Sequence, residues 1–492
     1  MRTTTTVRPV LVGLLALAVG ACVAPRNIQE AQHAVRHSLT TMEAADADAL
    51  VDRLRTLYRE DEDRVLFNLE RGTLLHFAGA WSQSTQAFEQ AERQIEQLYT
   101  KSINQGLQSI LINDLQLAYD GEDYEDVYLN AFKCLNFLHQ EDYSGALVEV
   151  RRMAHKLQNL NAKYKGLAAT LAHADTTAVT RQLEEEGIAW APRESAIQHS
   201  ALGRYLATVL YAKAGQPDDA RIEYENLRVA LRDQGRFDLL SASGLASPGG
   251  DSLHYAEPRR SRGGPVASNG GLADAPPDAD PRDRAAAPEA TALGRIRQPE
   301  TYNTLLLAFG GFGPRKVERK ISVPLVEPEV QLDFAVPTLH TSPSRIHRVR
   351  VRTKGAEPVP LLLLEDMQQV AEVVYRVKEP IVYARAAVRT FVKAAATEAG
   401  EALATERGGA WLGETVELIG RSMSWYTERA DVRTWQSMPG RAYANVVRLP
   451  AGAHDVTFEY LSRSGRVLHT DTRTVHVSGP DDLALAESLL WK

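Results

Sequence analysis

The side chains best suited to chemistry in this chain are two thiols, Cys22 and Cys134, and 13 histidines. No histidine falls in a His-Glu-x-x-His pattern, and one internal thiol cannot build a cysteine-based zinc site. Neither a Gly-x-Ser-x-Gly elbow nor a Ser-x-x-Lys plus Lys-Thr-Gly set is present. The run GGFGPRKVERK gathers glycines and cations as a phosphate loop would. No Gly-Lys-Ser/Thr follows it, however, and no helical pattern begins there, so a glycine-proline turn leading into a strand is the better account. Carboxylates gather at 120–126 (DGEDYED) and 184–186 (EEE), where they read as solvated helix ends and caps. A glycosidase-type acid pair distant in sequence would leave no local signature. No catalytic residue, cofactor or metal site is expected.

Cys22 has a different kind of chemistry. Arg2 and Arg8 precede an apolar run from Val10 to Val19, and Val19-Gly20-Ala21-Cys22 has the form of a lipobox. This resembles the signal peptide of a bacterial lipoprotein. The resemblance implies cleavage before Cys22, diacylglycerol on its thiol and a third acyl chain on its new amine. Each buried methylene stabilises anchoring by about 0.8 kcal/mol, and more than one chain is needed for a stable anchor. The apolar run is too short for the roughly 20 residues of a spanning helix. Val23, rather than an acid, follows the cysteine, so lipoprotein sorting implies the outer membrane, facing the periplasm.

Removing residues 1–21 takes away Arg2 and Arg8 and no acid, which moves the formal charge from −7 to −9. Such a surface gives no electrostatic support to nucleic-acid binding. With Cys22 acylated, Cys134 has no intramolecular disulfide partner, so stability must come from packed cores. Cys134 lies in an apolar helical stretch and reads as a small buried hydrophobe.

The elements that would position any site fall into zones. Residues 22–240 are nearly free of proline and glycine and have helical apolar spacing. Residues 241–300 are rich in Gly, Pro, Ala and charge and read as a disordered linker or excursion. Residues 301–480 read as an α+β domain, with strands to Leu364, helix from Glu365 to about Glu428 broken near Pro380, then strands again. Residues 481–492 read as a tail. The expected fold class is α+β, multidomain.

Within the helical half, three segments match the tetratricopeptide (TPR) pattern, in which small residues let two helices pack closely. The first has Gly72, Leu75, Gly79, Trp81, Phe88 and Ala91, with Ser84 in place of alanine. The second has Phe137, Tyr143, Ala146 and Val150, with Cys134 and Glu141 in place of its glycines. The third has Tyr211, Gly215, Ala220 and Tyr224. Corresponding positions lie 62 and 74 residues apart, so extra helices are expected between the repeats. A TPR-like α-solenoid follows, with Leu69, Thr73, His76, Phe77, Ala131, Leu135, His139, Tyr205, Val209 and Lys213 on its concave side. That groove would suit an amphipathic helix, unless intervening helices fill it.

Longer segments are similar to a family of bacterial lipoproteins with a TPR-like N-terminal half and a mixed C-terminal domain. They are DLQLAYDGEDYEDVYLNAFKCLNFL, ALVEVRRMAHKL, GFGPRKVERKISVPL and ERADVRTWQSMPGRAYANVVRLPAG. The resemblance implies a cell-envelope setting and no known reaction. Two clusters remain. In RIHRVRVRTK, Arg348, Arg350 and Arg352 alternate with valines, reading as a charged edge strand or as a patch for an anionic glycan or lipid headgroup. Asp431, Arg433, Trp435, Met438 and Pro439 read as a lock at a helix-to-strand junction. The expected role is a non-catalytic envelope scaffold with protein partners, held to the membrane by lipid; an adaptor for anionic polymer or an envelope enzyme are the alternatives.

Overall fold

The computed structural model describes residues 28–41, 47–59, 61–105, 118–173, 200–236, 288–325, 330–395 and 429–491. Cys22, its leader and residues 241–287 lie outside the described residues, as does the acidic run 184–186. The described chain is mixed α+β. Helices α1 (Ile28–Thr41) and α2 (Ala47–Leu57) precede three helical hairpins: α3 (Arg64–Phe77) with α4 (Trp81–Gln105), α5 (Asp123–His139) with α6 (Tyr143–His173), and α7 (Ala201–Lys213) with α8 (Pro217–Asp233). Helix α9 (Pro288–Arg295) follows, within the stretch expected to be disordered up to residue 300.

The three hairpin turns are built alike. Ala80 N–H donates to Leu75 O, Asp142 N–H to Phe137 O and Gln216 N–H to Tyr211 O, all at 2.9 Å. Each bond spans five residues and closes the helix end through a left-handed residue. These residues are Gly79 (φ 78°), Glu141 (φ 57°) and Gly215 (φ 70°), spaced as the sequence repeat is. In the first hairpin Gly72 meets the Phe88 ring so closely that a Cβ would stand 2.6 Å from it. Of the stretches expected to hold extra helices, the described parts continue the hairpin helices, α4 for 25 residues and α6 for 31, and residues 106–117 and 174–199 lie outside the described residues.

The C-terminal half is dominated by a nearly closed seven-stranded sheet. Its strands are β1 (Thr304–Phe312), β4 (Arg348–Thr353), β5 (Val359–Asp366), β6 (Pro439–Val447), β7 (Gly452–Leu461), β8 (Val467–Val477) and β9 (Ala484–Leu490), in the order β8-β7-β4-β5-β6-β1-β9. A separate pair, β2 (Arg315–Leu325) with β3 (Val330–His340), packs against α10 (Met367–Ala395) through Phe334, Val336, Tyr383 and Ala386. Helix α10 passes through Pro380 without the expected break.

Three boundaries therefore change. Residues 481–492 are not a tail: β9 runs parallel to β1, with Leu307 opposite Glu487. The strand is short and its inward side holds small residues, so it lacks a strong strand pattern. Arg348, Arg350 and Arg352 lie on β4, an interior strand between β5 and β7, so the edge-strand expectation fails. The described parts of 22–240 and 301–480 share a core, although the inside of the curled sheet has a second cluster of its own. One buried cluster runs from Val35 and Leu69 through Phe132 and Tyr205 to Leu305, Phe309, Trp435 and Leu483.

Strand β1 explains that continuity. Leu306 and Ala308 point into the curl of the sheet beside Val349, Phe458 and Tyr460, while Leu305, Leu307 and Phe309 face the helices. Both faces are buried, so the strand reads as an unbroken apolar run.

Candidate functional site

The residues expected to line an open groove do converge on one side of the hairpins, but that side is filled by the chain's own C-terminal half. Leu69, Thr73, Leu135, Tyr205 and Val209 are fully buried, and Ala131 and His76 nearly so. Phe77, His139 and Lys213 are half-buried. Phe77 packs edge-on against Phe309 of β1 and Trp491 just past β9. Lys213 donates from Nζ to Tyr302 O at 2.7 Å and sits over the Tyr302 ring. Among the described residues this side is thus not an open groove for a foreign helix, and the described elements that fill it are strands and an extended segment.

That segment is 430–437, neither helix nor strand, and the hairpins hold it as they would a peptide. Glu125 Oε1 accepts the Trp435 amide at 2.7 Å, and Glu70 accepts those of Gln436 and Ser437 at 2.6 and 2.8 Å. The Trp435 indole enters a nest of Phe88 and Phe132, and its Nε1–H donates to Thr73 Oγ1 and Ser437 Oγ, each at 3.0 Å. Arg433, 1 % exposed, is bidentate to Asp431 (2.9 and 2.8 Å), reaches Asp63 Oδ1 at 3.1 Å and lies over the Tyr119 ring. Arg36 of α1 closes the far side through Gln436 Oε1 and Gly313 O. The cluster foreseen as a junction lock therefore joins residues more than 300 positions apart.

The acidic run 120–126 is corrected as well. Glu122 caps α5 and forms a reciprocal capping box with Glu125, as a cap should. Both are buried rather than solvated. Burial, with Glu122 adding its charge, pushes the Glu125 carboxyl up to about 7. Glu122 is held below the usual range because Lys316 and Lys378 offset its burial. Glu365 is the third such acid. Its carboxylate takes Tyr128 Oη, Ser200 Oγ and the Leu202 amide at the N-terminus of α7, and burial raises its pKa. Glu125 and Glu365 are thus occupied by amides and hydroxyls, and Glu122 by two ammonium groups.

A second polar cluster crosses the same seam. His76 lies in the last turn of α3, His139 ends α5, and Glu487 projects from the helix-facing side of β9. His76 Nε2 lies 3.0 Å from both Glu487 oxygens, and His139 Nε2 lies 2.8 Å from Oε2. Burial alone would raise the Glu487 carboxyl, but the two imidazoles hold it down at about 2. Sequence reading placed both histidines on the inner side and missed Glu487, because nothing near position 487 has ligand spacing.

The basic strand is neutralised only in part, since one carboxylate stands against its three arginines. Arg350 and Arg352 both pair with Glu459 of β7, at 2.5 and 2.7 Å, while Arg348 and Arg352 stay exposed. Cys134 is buried and free, as a core hydrophobe would be. Among the described residues no helix is long and apolar enough to cross a membrane. Compared with known proteins, the chain matches no family model, no curated protein and no solved structure.

Proposed function

We propose that this chain is a non-catalytic lipoprotein of the bacterial cell envelope, anchored through acyl chains on Cys22 in the outer membrane and facing the periplasm. Its TPR-like helical array is a scaffold for protein–protein interaction in envelope assembly or maintenance. The observation that carries the scaffold reading is the capture of residues 430–437: the array binds an extended segment through carboxylates on successive amides and one buried indole. Because that ligand belongs to the chain itself, the inner side orients the sheet domain. Envelope proteins then meet the outer surface. One such surface is the mixed-charge cleft between α4 and α6, where Arg93, Glu96, Val148, Arg152 and His155 are exposed.

The test is metabolic labelling with palmitate, followed by crosslinking in the native envelope. Wild type should take up label and Cys22→Ala should not, and reproducible crosslinks to envelope proteins should map to the outer helices. Equal labelling of both proteins would end the anchoring argument. A crosslink pattern with no protein partner would end the scaffold reading.

A further inference from the structure

We propose that His76, His139 and Glu487 form a binding site for one divalent ion of the zinc type. Two imidazole nitrogens and one carboxylate are the protein donors of a common open zinc site, with a water or another ligand at the fourth position. Here the three donor atoms all lie within 4.8 Å of one another. Tetrahedral zinc, with bonds of about 2.0–2.1 Å, separates its ligand atoms by roughly 3.3 Å. The contacts of 2.8–3.0 Å therefore need to open by only a few tenths of an ångström.

The rings are already aimed. Asn136 spends its amide hydrogens on Ser84 Oγ (2.9 Å) and Thr85 Oγ1 (3.1 Å), so its Oδ1 must accept from His76 Nδ1–H at 2.7 Å. That bond fixes the tautomer and commits His76 Nε2 to the carboxylate side, as a hydrogen-bonded outer shell does for zinc-bound histidine. His139 is held flat against Trp81, with ring centroids 4.5 Å apart and 4° between planes. The donors sit on two helix ends and a strand, not on loops, which suits a preorganised site.

Access and charge agree with this assignment. The His76 side chain is wholly buried, whereas that of His139 is 17 % exposed, giving an ion one way in and a water one place to remain. A salt bridge alone would need a single imidazolium against Glu487. The second imidazole on the same carboxylate completes a donor set for a divalent ion. Bound there, the ion would tie α3 and α5 to β9.

The test uses the full chain, stripped with chelator and titrated with Co²⁺ and then Zn²⁺. One cobalt per chain should bind with visible ligand-field absorption and be displaced by zinc. X-ray absorption of the zinc form should show two imidazoles and an oxygen shell. His139→Ala and Glu487→Gln, checked for folding by circular dichroism, should each weaken zinc binding tenfold or more. Failure of either variant to fold leaves the wild-type X-ray absorption to decide. Absence of saturable binding, a metal shell without two imidazoles, or affinity unchanged in the folded variants would overturn the proposal.

Discussion

The indole Nε1–H of Trp435 donates to the hydroxyl of Thr73, 362 positions earlier, and Thr73 in turn donates to Leu69 O within α3. A residue after α10 thereby completes the hydrogen bonding of the first hairpin's inner side. Trp435→Ala should remove the ring that Phe88 and Phe132 pack around and destabilise the fold by about 3–5 kcal/mol. Thr73→Val should cost only about 1 kcal/mol, because Ser437 Oγ still accepts from the indole. Urea denaturation measures both, and a Trp435→Ala effect below that of Thr73→Val would contradict this packing.

Glu141 occupies the left-handed turn position that glycine fills in the other two hairpins. A side chain with a Cβ is strained there by roughly 1–2 kcal/mol, partly offset by the greater freedom of glycine in the unfolded chain. Glu141→Gly should therefore stabilise the protein by about 0.5–1 kcal/mol, whereas Gly79→Ala and Gly215→Ala should destabilise it. Thermal denaturation of the three variants compares the signs directly.

Glu125 gives stability a pH dependence of a definite sign. Its folded pKa, about 7, lies above its ordinary 4.5, so the native state holds the proton more tightly than the unfolded chain does. Its contribution is complete below about pH 4.5 and is lost as pH rises through 7. Glu92, held near 2 by Lys156 and Lys133 against its burial, works in the opposite window: its contribution is present above about pH 4.5 and lost as pH falls through 2. Between pH 5 and pH 8 the denaturation midpoint of wild type should fall, and Glu125→Gln should flatten that slope. An equal slope in the two proteins would show that Glu125 ionises freely in the folded state.

The parts of the architecture legible in the sequence are those set by local chemistry. The hairpin turns at Gly79, Glu141 and Gly215 recur at the repeat spacing, and alternating valines mark β4. What was hidden depends on partners distant in the chain. Glu122 and Glu125 look like solvated acids until lysines and an amide from the C-terminal half cover them. Ala486 and Ser488 are small because they face the inside of a curled sheet, so β9 lacks the bulky alternation that identifies a strand. The inner side of the hairpins reads as an open groove because its occupant, 430–437, has no helical or strand pattern of its own. Glu487 joined the histidines only through the parallel pairing of β9 with β1, which short-range spacing cannot encode.

The central claim is that the helical array permanently holds its own segment 430–437, and amide hydrogen exchange of that segment tests it most directly. The amides of Trp435, Gln436 and Ser437 are bonded to the buried carboxylates of Glu125 and Glu70, so a peptide spanning them should exchange as slowly as peptides from α3 and α5. Exchange on the timescale of an exposed loop, while α3 and α5 stay protected, would mean that the segment leaves the groove freely and that the groove is open to other ligands.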